Sequence, residues 1–216
     1  MMDWDLPTRL AAGLRRPLPG RVAQARFEPE MSFGRHYGPP RGDAQPAAVL
    51  VLLYPGGDDW LVPLTMRPAT MVTHAGQVSL PGGRVEPGET SRTAVLRELE
   101  EELGVPAAGV ELLGSLSPLY LFVSNFLITP WVGSTAERPA FQPNLDEVSE
   151  LLEVPLAHLR DPANAGCHHR RQRGIGLLAR HIQWQRHRIW GATSMILGEL
   201  LAVLDQLEPP SARQSA

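Results

Sequence analysis

The sequence predicts an α/β (α+β) fold, a mixed β-sheet sandwiched by helices, and three observations predict it. Ala47 to Tyr54 is a continuous apolar run with the length of a strand buried on both faces. A turn rich in Gly and Pro, from Pro81 to Gly88, leads into an amphipathic helix that Gly104 can close in a left-handed conformation. A second long helix runs from about Ala192 to Leu207, where Met195, Ile196, Leu200 and Leu204 form one apolar stripe. Strands before and after one central helix, plus a terminal helix, describe a sheet that buries both faces under helices.

Taken in order, residues 5–16 read as a short amphipathic helix, with Leu6, Leu10 and Leu14 spaced by four, ended by Pro17-Leu18-Pro19-Gly20. From there to Pro46 the chain is rich in Pro, Gly and Arg and reads as an extended arm lying on the domain rather than entering its core. Pro55 to Asp59 is a turn, and Trp60 to Arg67 returns as a partner strand that Pro63 demotes to an edge or a bulge. Val110–Leu121 and Phe126–Val132 form a further strand pair, and Ser134 to Asp146 a polar loop. Val148–Val154 is a short strand, with Pro155 opening a helical turn through Leu159. Residues 161–173 read as a basic loop, residues 175–184 and 187–190 as a hairpin, and the tail after Pro209 as disordered. The expected organisation is an arm over 1–45, one domain over 46–208 and a tail over 209–216.

A length of 216 residues with 43% hydrophobic content suits one decorated domain with a proper core. The formal charge of −3 gives no reason to expect a nucleic-acid or anionic-membrane partner. All 20 cationic side chains are Arg, so any phosphate contact from a cation must be a guanidinium or a protonated His. The lone Cys167 excludes an intramolecular disulfide and fits a reducing compartment. No apolar run approaches the roughly 20 residues that span a bilayer, and the acidic start, Met1-Met2-Asp3-Trp4-Asp5, lacks the order of a secretory signal. A cytoplasmic monomer or homodimer is expected.

The chemistry concentrates on the helix after the turn. Thr90 or Ser91 can cap it, with Glu89 near the positive end of its dipole. Val95, Leu96, Leu99 and Leu103 share an arc that faces a core. Glu98, Glu101 and Glu102, at i, i+3 and i+4, share an adjacent acidic arc, with Ala94 among them. Like charges so spaced weaken a helix by a few tenths of a kcal/mol per pair. A hard divalent cation is the natural compensation, since magnesium prefers carboxylate oxygen and substrate phosphate; a solvated acidic face is the alternative.

The order of the fixed positions decides between them. Gly83, Glu89, Arg97, Glu98, Leu99, Glu101, Glu102, Gly104 and Val105 stand at the positions of the Nudix box. Chance agreement at its Gly, Glu and Arg positions is on the order of 10⁻⁸ per window, so the segment is identified as a member of the Nudix hydrolase family. The resemblance implies an α/β/α sandwich with a mixed sheet and hydrolysis of a diphosphate bond in a small nucleotide substrate. The cofactor it implies is Mg²⁺ or Mn²⁺, held by Glu98, Glu102 and Glu101 with the backbone of Gly82 or Gly83. Arg97 would orient a carboxylate, and Glu89 would order the loop. The base would be a box glutamate such as Glu98 or Glu101, or a later carboxylate, Glu147 or Glu150.

Outside the box, Leu64, Thr65, Arg67, Gly76 and Pro81-Gly82-Gly83 resemble the motif of the coenzyme A pyrophosphatase branch. Pro63, Pro68, Leu80 and Val72 depart from it, standing for its first Leu, its Ser, its Phe and its Arg. Leu116–Pro130 and Ile189–Thr193 are also similar to that branch. The resemblance implies cleavage of CoA or acyl-CoA to 3′,5′-ADP and 4′-phosphopantetheine or its acyl form. ADP-ribose, NADH and dinucleoside polyphosphates are the alternative substrates, and a non-catalytic nucleotide sensor is a remote one. Arg67, Gly76 and Gly82 are the substrate-binding candidates. Arg170 and Arg171, beside His168, His169 and Arg173, would form a phosphate clamp or a solvated loop. Cys167-His168-His169 lacks the spacing of a zinc site, and Trp184, Trp190, Tyr120 and Phe122 are either core or a platform for adenine.

Overall fold

The computed structural model describes residues 2–31, 39–68, 76–172 and 175–208, with the backbone alone at Met31, Gln172 and Ile175. The chain runs through α1 (Leu6–Gly13), α2 (Arg21–Gln24), β1 (Glu30–Met31), β2 (Gln45–Gly56), β3 (Asp59–Met66), β4 (Val78–Ser79) and β5 (Gly82–Arg84). It continues through α3 (Ser91–Leu103), β6 (Glu111–Ser115), β7 (Leu119–Leu121), β8 (Phe126–Ser134) and β9 (Glu150–Pro155). The last elements are α4 (Leu156–Arg160), β10 (Ala165–Gln172), β11 (Ile175–Trp184), β12 (His187–Trp190) and α5 (Ala192–Leu207).

The main sheet is built around β2. That strand runs parallel to β8 along Gln45–Leu53, while β3 and β5 pair antiparallel on its other flank. One parallel pair among antiparallel ones makes the sheet mixed, as expected. Successive side chains of a strand point to opposite faces, and β2 buries both. Ala48, Leu50, Leu52 and Tyr54 pack with Val95, Leu99 and Leu103 of α3. Val51 and Leu53 face the other way into a larger core with Leu6 and Leu10 of α1 and Ile196, Leu197 and Leu200 of α5. The result is an α/β/α sandwich. Ala94 lies fully buried in the α3 core instead of on the acidic arc, because the helix sits close against β2.

α3 forms where its local signals lie. The Thr90 hydroxyl accepts from Thr93 N–H while the Thr93 hydroxyl accepts from Thr90 N–H, a reciprocal cap. Gly104 ends it at φ 66°, where an added Cβ would press on Gln142. The polar loop that follows β8 then returns to the helix end. Gln142 and Asn144 donate N–H bonds of 2.8 and 2.9 Å to the carbonyls of Leu103 and Glu102, which fixes where Glu147 emerges.

Four expectations need correction. Pro63 sits in a strand paired on both flanks: β9 covers Leu61–Met66 on one side, β2 and β4 the two ends of the other. β2 pairing stops at Leu61 and β4 pairing starts at Thr65, and the gap between them accommodates a residue without an N–H. The span 110–121 is broken into β6 and β7, because Ser117 N–H turns to Glu199 and Leu116 N–H to the Pro130 carbonyl. The N-terminal arm is not merely extended. It forms α2 and β1, and Phe27 enters the main core. Its anchor is Glu199 of α5, fully buried, which accepts N–H bonds from Gly20, Gln24 and Ser117.

The fourth correction is the basic loop. Residues 165–172 are β10, paired along its whole length with β11 in a second sheet that also holds β1 and β12. β10 is an edge strand whose side chains are mostly exposed, so charge replaces the apolar alternation that marks a strand. The residues 209–216, Val72, His74 and Arg173 lie outside the described residues.

Candidate active site

The turn from β5 into α3 and the acidic face of α3 meet at one end of a cleft of about 780 Å³. Gly82, Gly83, Arg84, Glu98, Glu102 and Glu147 line this end, with Arg67 beside them. Two glycines make the turn possible. Gly82, at φ 145°, passes so close to β2 that a Cβ would collide with the Ala48 carbonyl. A Cβ on Gly83 would fall on the Glu98 carboxylate, so the absence of a side chain there leaves the space in which that carboxylate lies.

Glu102 is only 3% exposed. Burial pushes its carboxyl up to about 8, against the pull of Arg67 Nη2 at 3.7 Å and of Gly82 N–H at 3.3 Å. Glu98, half-buried, is also raised by burial; Arg97 opposes this, and the charges of Glu101 and Glu147 add to it. Glu147 repels both Glu98 and Glu102, so three carboxylates address one end of the cleft.

Arg97 ties the turn to the helix. Its Nε and Nη2 each donate at 3.1 Å to Glu89, Nη2 also donates at 3.1 Å to the Arg84 carbonyl, and Nη1 donates at 2.9 Å to Glu98. The same guanidinium holds the Glu89 carboxyl below the usual carboxylate range. Glu89 in turn accepts from Glu86 N–H, which closes the loop.

Glu101 differs from its expected place. Its carboxylate accepts from Arg97 Nη1 at 2.8 Å, its side chain is 54% exposed, and it does not line the cleft. Glu150 is likewise elsewhere, bonded to Arg186 at 2.7 Å with His187 at 3.4 Å. Among the described residues no three carboxylate, imidazole or thiolate groups form a ready cage for a metal ion. The donor set nevertheless suits magnesium or manganese. Magnesium binds through one or two carboxylates plus substrate phosphates and water rather than an all-protein cage. Glu98 and Glu102 offer two carboxylates whose raised proton affinity a cation would relieve.

Of the substrate-binding candidates, Arg67 and Gly82 line the cleft and Gly76 braces Arg67, donating its N–H to the Arg67 carbonyl at 3.1 Å. Arg170 and Arg171 do not line it; they border a separate groove with Glu30, His169 and Leu178. Arg170 stacks at 4.6 Å on Trp190, which does line the cleft, as do Tyr120 and Phe122. Trp184 instead packs on His158 and the core. His168 alternates on β10 with Cys167 and His169; its Nδ1 meets His181 Nδ1 at 3.1 Å, so the triplet does not converge. Sequence reasoning missed Glu28 and Pro29 of the arm, Leu177, Met195 and Ile196, all of which line the cleft. Only tertiary packing brings them there.

A glycine turn leading into a helix whose carboxylates open on a cleft, carried by a mixed sheet between helices, defines a Nudix hydrolase, an enzyme of pyrophosphate bonds that generally works with a divalent cation. The chain belongs to this family: the NUDIX domain matches residues 44–172. It is 37% identical over 147 residues to the Nudix hydrolase NudL of Photorhabdus laumondii, covering 63% of this chain and 73% of that one. It is 36% identical over 164 residues to NudL of Cronobacter sakazakii, covering 71% and 80%. Among solved structures it is similar to the Nudix hydrolase RenU of M. smegmatis, with a TM-score of 0.45 and 25% identity over 58% of this chain and 77% of that one.

Proposed function

We propose that this hydrolase cleaves the diphosphate bond of CoA or acyl-CoA, giving 3′,5′-ADP and 4′-phosphopantetheine or its acyl form, with Mg²⁺ or Mn²⁺ as cofactor. One observation carries the reading. Of the positions that resemble the coenzyme A motif, Arg67, Gly82 and Gly83 line the same cleft as the box glutamates, with Arg67 3.7 Å from Glu102 and the two glycines forming the turn.

Glu98 and Glu102 would hold the cation, with the Gly83 backbone beside them. A bound divalent cation supplies charge neutralisation at the diphosphate oxygens and a lowered pKa for water. Arg97 fixes Glu98 by its 2.9 Å bond and keeps the turn against the helix. Glu147, at the cleft and, among the described residues, not engaged by an arginine as Glu101 and Glu150 are, takes the proton of the attacking water. Arg67, lining the cleft 3.7 Å from Glu102, would bind a substrate phosphate oxygen. Arg170, stacked at 4.6 Å on the cleft-lining Trp190, would act on a more distant phosphate, such as the 3′-phosphate of CoA; Arg171, its neighbour on β10, points to the opposite face.

The test is incubation of the purified protein with magnesium or manganese and, separately, CoA, an acyl-CoA, ADP-ribose, NADH and a diadenosine polyphosphate, with products identified by mass. The CoA species should give 3′,5′-ADP with the highest kcat/KM, and Glu98→Gln should abolish it. A higher kcat/KM for ADP-ribose or another dinucleotide overturns the substrate assignment.

A further inference from the structure

The second sheet ends on an open edge. β10 pairs with β11 over all eight of its residues with no shift of register, and among the described residues no strand pairs with its other flank. At about 3.3 Å per residue, that flank presents roughly 26 Å of backbone donors and acceptors. Proteins blunt such an edge with proline, a bulge or charge. β10 has neither proline nor bulge, which leaves charge. That charge has one sign and lies on both faces. Arg171 shares a face with Arg180, the cross-strand partner of Cys167, while Arg170 lies on the other face with Arg188, whose charge reaches His168. All four arginines are exposed, and among the described residues none pairs with a carboxylate. Elsewhere Arg9, Arg97, Arg138, Arg160 and Arg186 each have such a partner. Glu30 is the single carboxylate among the described residues that line the groove beside Arg170 and Arg171.

This pattern selects among possible occupants. A second copy of β10 would bring the same cations to the same short edge, where like charges repel. A nucleic-acid strand offers phosphate acceptors to the arginines but no regular donors to the carbonyls of β10. An extended peptide offers donors and acceptors alternately along one edge, and side chains to both faces. We propose that β10 is a docking edge for an extended acidic segment of another protein, which joins the second sheet as a further strand and sets its carboxylates against the arginines of both faces. The inference is independent of the substrate assigned above.

The test uses the full-length protein and a fluorescein-labelled peptide of four consecutive glutamates flanked by Val and Thr, read by anisotropy. Binding should saturate and should weaken as salt is raised from about 0.1 M to about 1 M, where the Debye length falls to about 3 Å. Two further versions of the peptide are N-methylated at odd or at even residues. Only one set of amides faces β10, so one version should lose binding and the other keep it. Arg171→Glu combined with Arg180→Glu should weaken binding about tenfold or more, since two exposed attractions become repulsions. Both positions are exposed and outside the cleft, so hydrolysis should be unchanged in this variant. Equal binding of the two N-methylated versions would mean attraction by charge without strand addition and overturns the proposal. So does an absence of saturable binding up to about 1 mM peptide, or tighter binding of a single-stranded oligonucleotide of equal charge. A dimer in sedimentation that the double substitution dissociates gives the edge to a second copy and overturns it as well.

Discussion

Glu102 makes the metal-free protein a poor match for alkaline solution. Its carboxyl has an ordinary value of 4.5 and is pushed to about 8 in the fold, chiefly by burial. Between those values the folded protein keeps a proton that the unfolded chain has released, so stability falls as pH rises. The window of about three and a half pH units, at about 1.4 kcal/mol each, gives up to about 5 kcal/mol lost by pH 8. For a chain of this length that is about 10 °C or more in Tm. Thermal unfolding in a chelator, followed from about pH 5 to about pH 8.5, should show this decline. Glu102→Gln, which keeps an oxygen for the Gly82 N–H, should flatten it and be the more stable protein at pH 8, although inactive. Millimolar magnesium should flatten the wild-type curve. Parallel wild-type and Glu102→Gln curves in chelator would refute the argument, since they would mean that the buried carboxylate is not the group whose ionisation opposes folding.

Other outcomes follow from the same geometry. Glu147→Gln should lower kcat by about 10²–10⁴-fold, the range for a lost general base, while Glu150→Gln should change it only a few-fold; steady-state kinetics showing the reverse order would move the base. Gly83→Ala should displace the Glu98 carboxylate and raise the magnesium concentration needed for half-maximal rate, measured by titration of activity. Arg97→Lys keeps the charge but loses the fork, and should reduce kcat by more than tenfold with little change in Tm. Glu199→Ala leaves three donors, the buried Gln24 side chain and the half-buried Gly20 and Ser117 N–H groups, without their acceptor and should destabilise by about 3 kcal/mol, readable as a drop of about 6–12 °C.

Legibility in the sequence tracked how local the cause was. The reciprocal cap at Thr90, the apolar stripe of Val95, Leu99 and Leu103, and the Gly104 stop lie within one short segment, so α3 could be read directly. β2 was equally plain, because burial on both faces leaves a continuous apolar run. β10 was not, since an exposed edge strand takes its conformation from β11 and needs no apolar pattern of its own. Within the site, spacing brought Glu98, Glu101 and Glu102 to one side of the helix. It could not show that Arg97 would draw Glu101 outward while Glu102 sank beneath Arg67. The separation of Glu147 from Glu150 depends on the loop hydrogen-bonding to the last carbonyls of α3, where Gln142 meets Leu103 and Asn144 meets Glu102, contacts between segments distant in sequence. Phe27, Glu28 and Met195 reach the core or the cleft only through the packing of the arm on α5.

The buried Glu199 clasp has a consequence for the order in which this protein can be made. Synthesis delivers the arm well before α5, and domains otherwise fold as they emerge. Until residues 192–207 leave the ribosome, Gly20, Gln24 and Ser117 lack their shared acceptor, and the Val51 and Leu53 face of β2 has α1 but lacks the α5 part of its cover. The face that packs on α3 can close much earlier. A nascent chain stalled before α5 would therefore hold one finished core and one partly covered apolar sheet face, the state in which a chaperone would find most to bind.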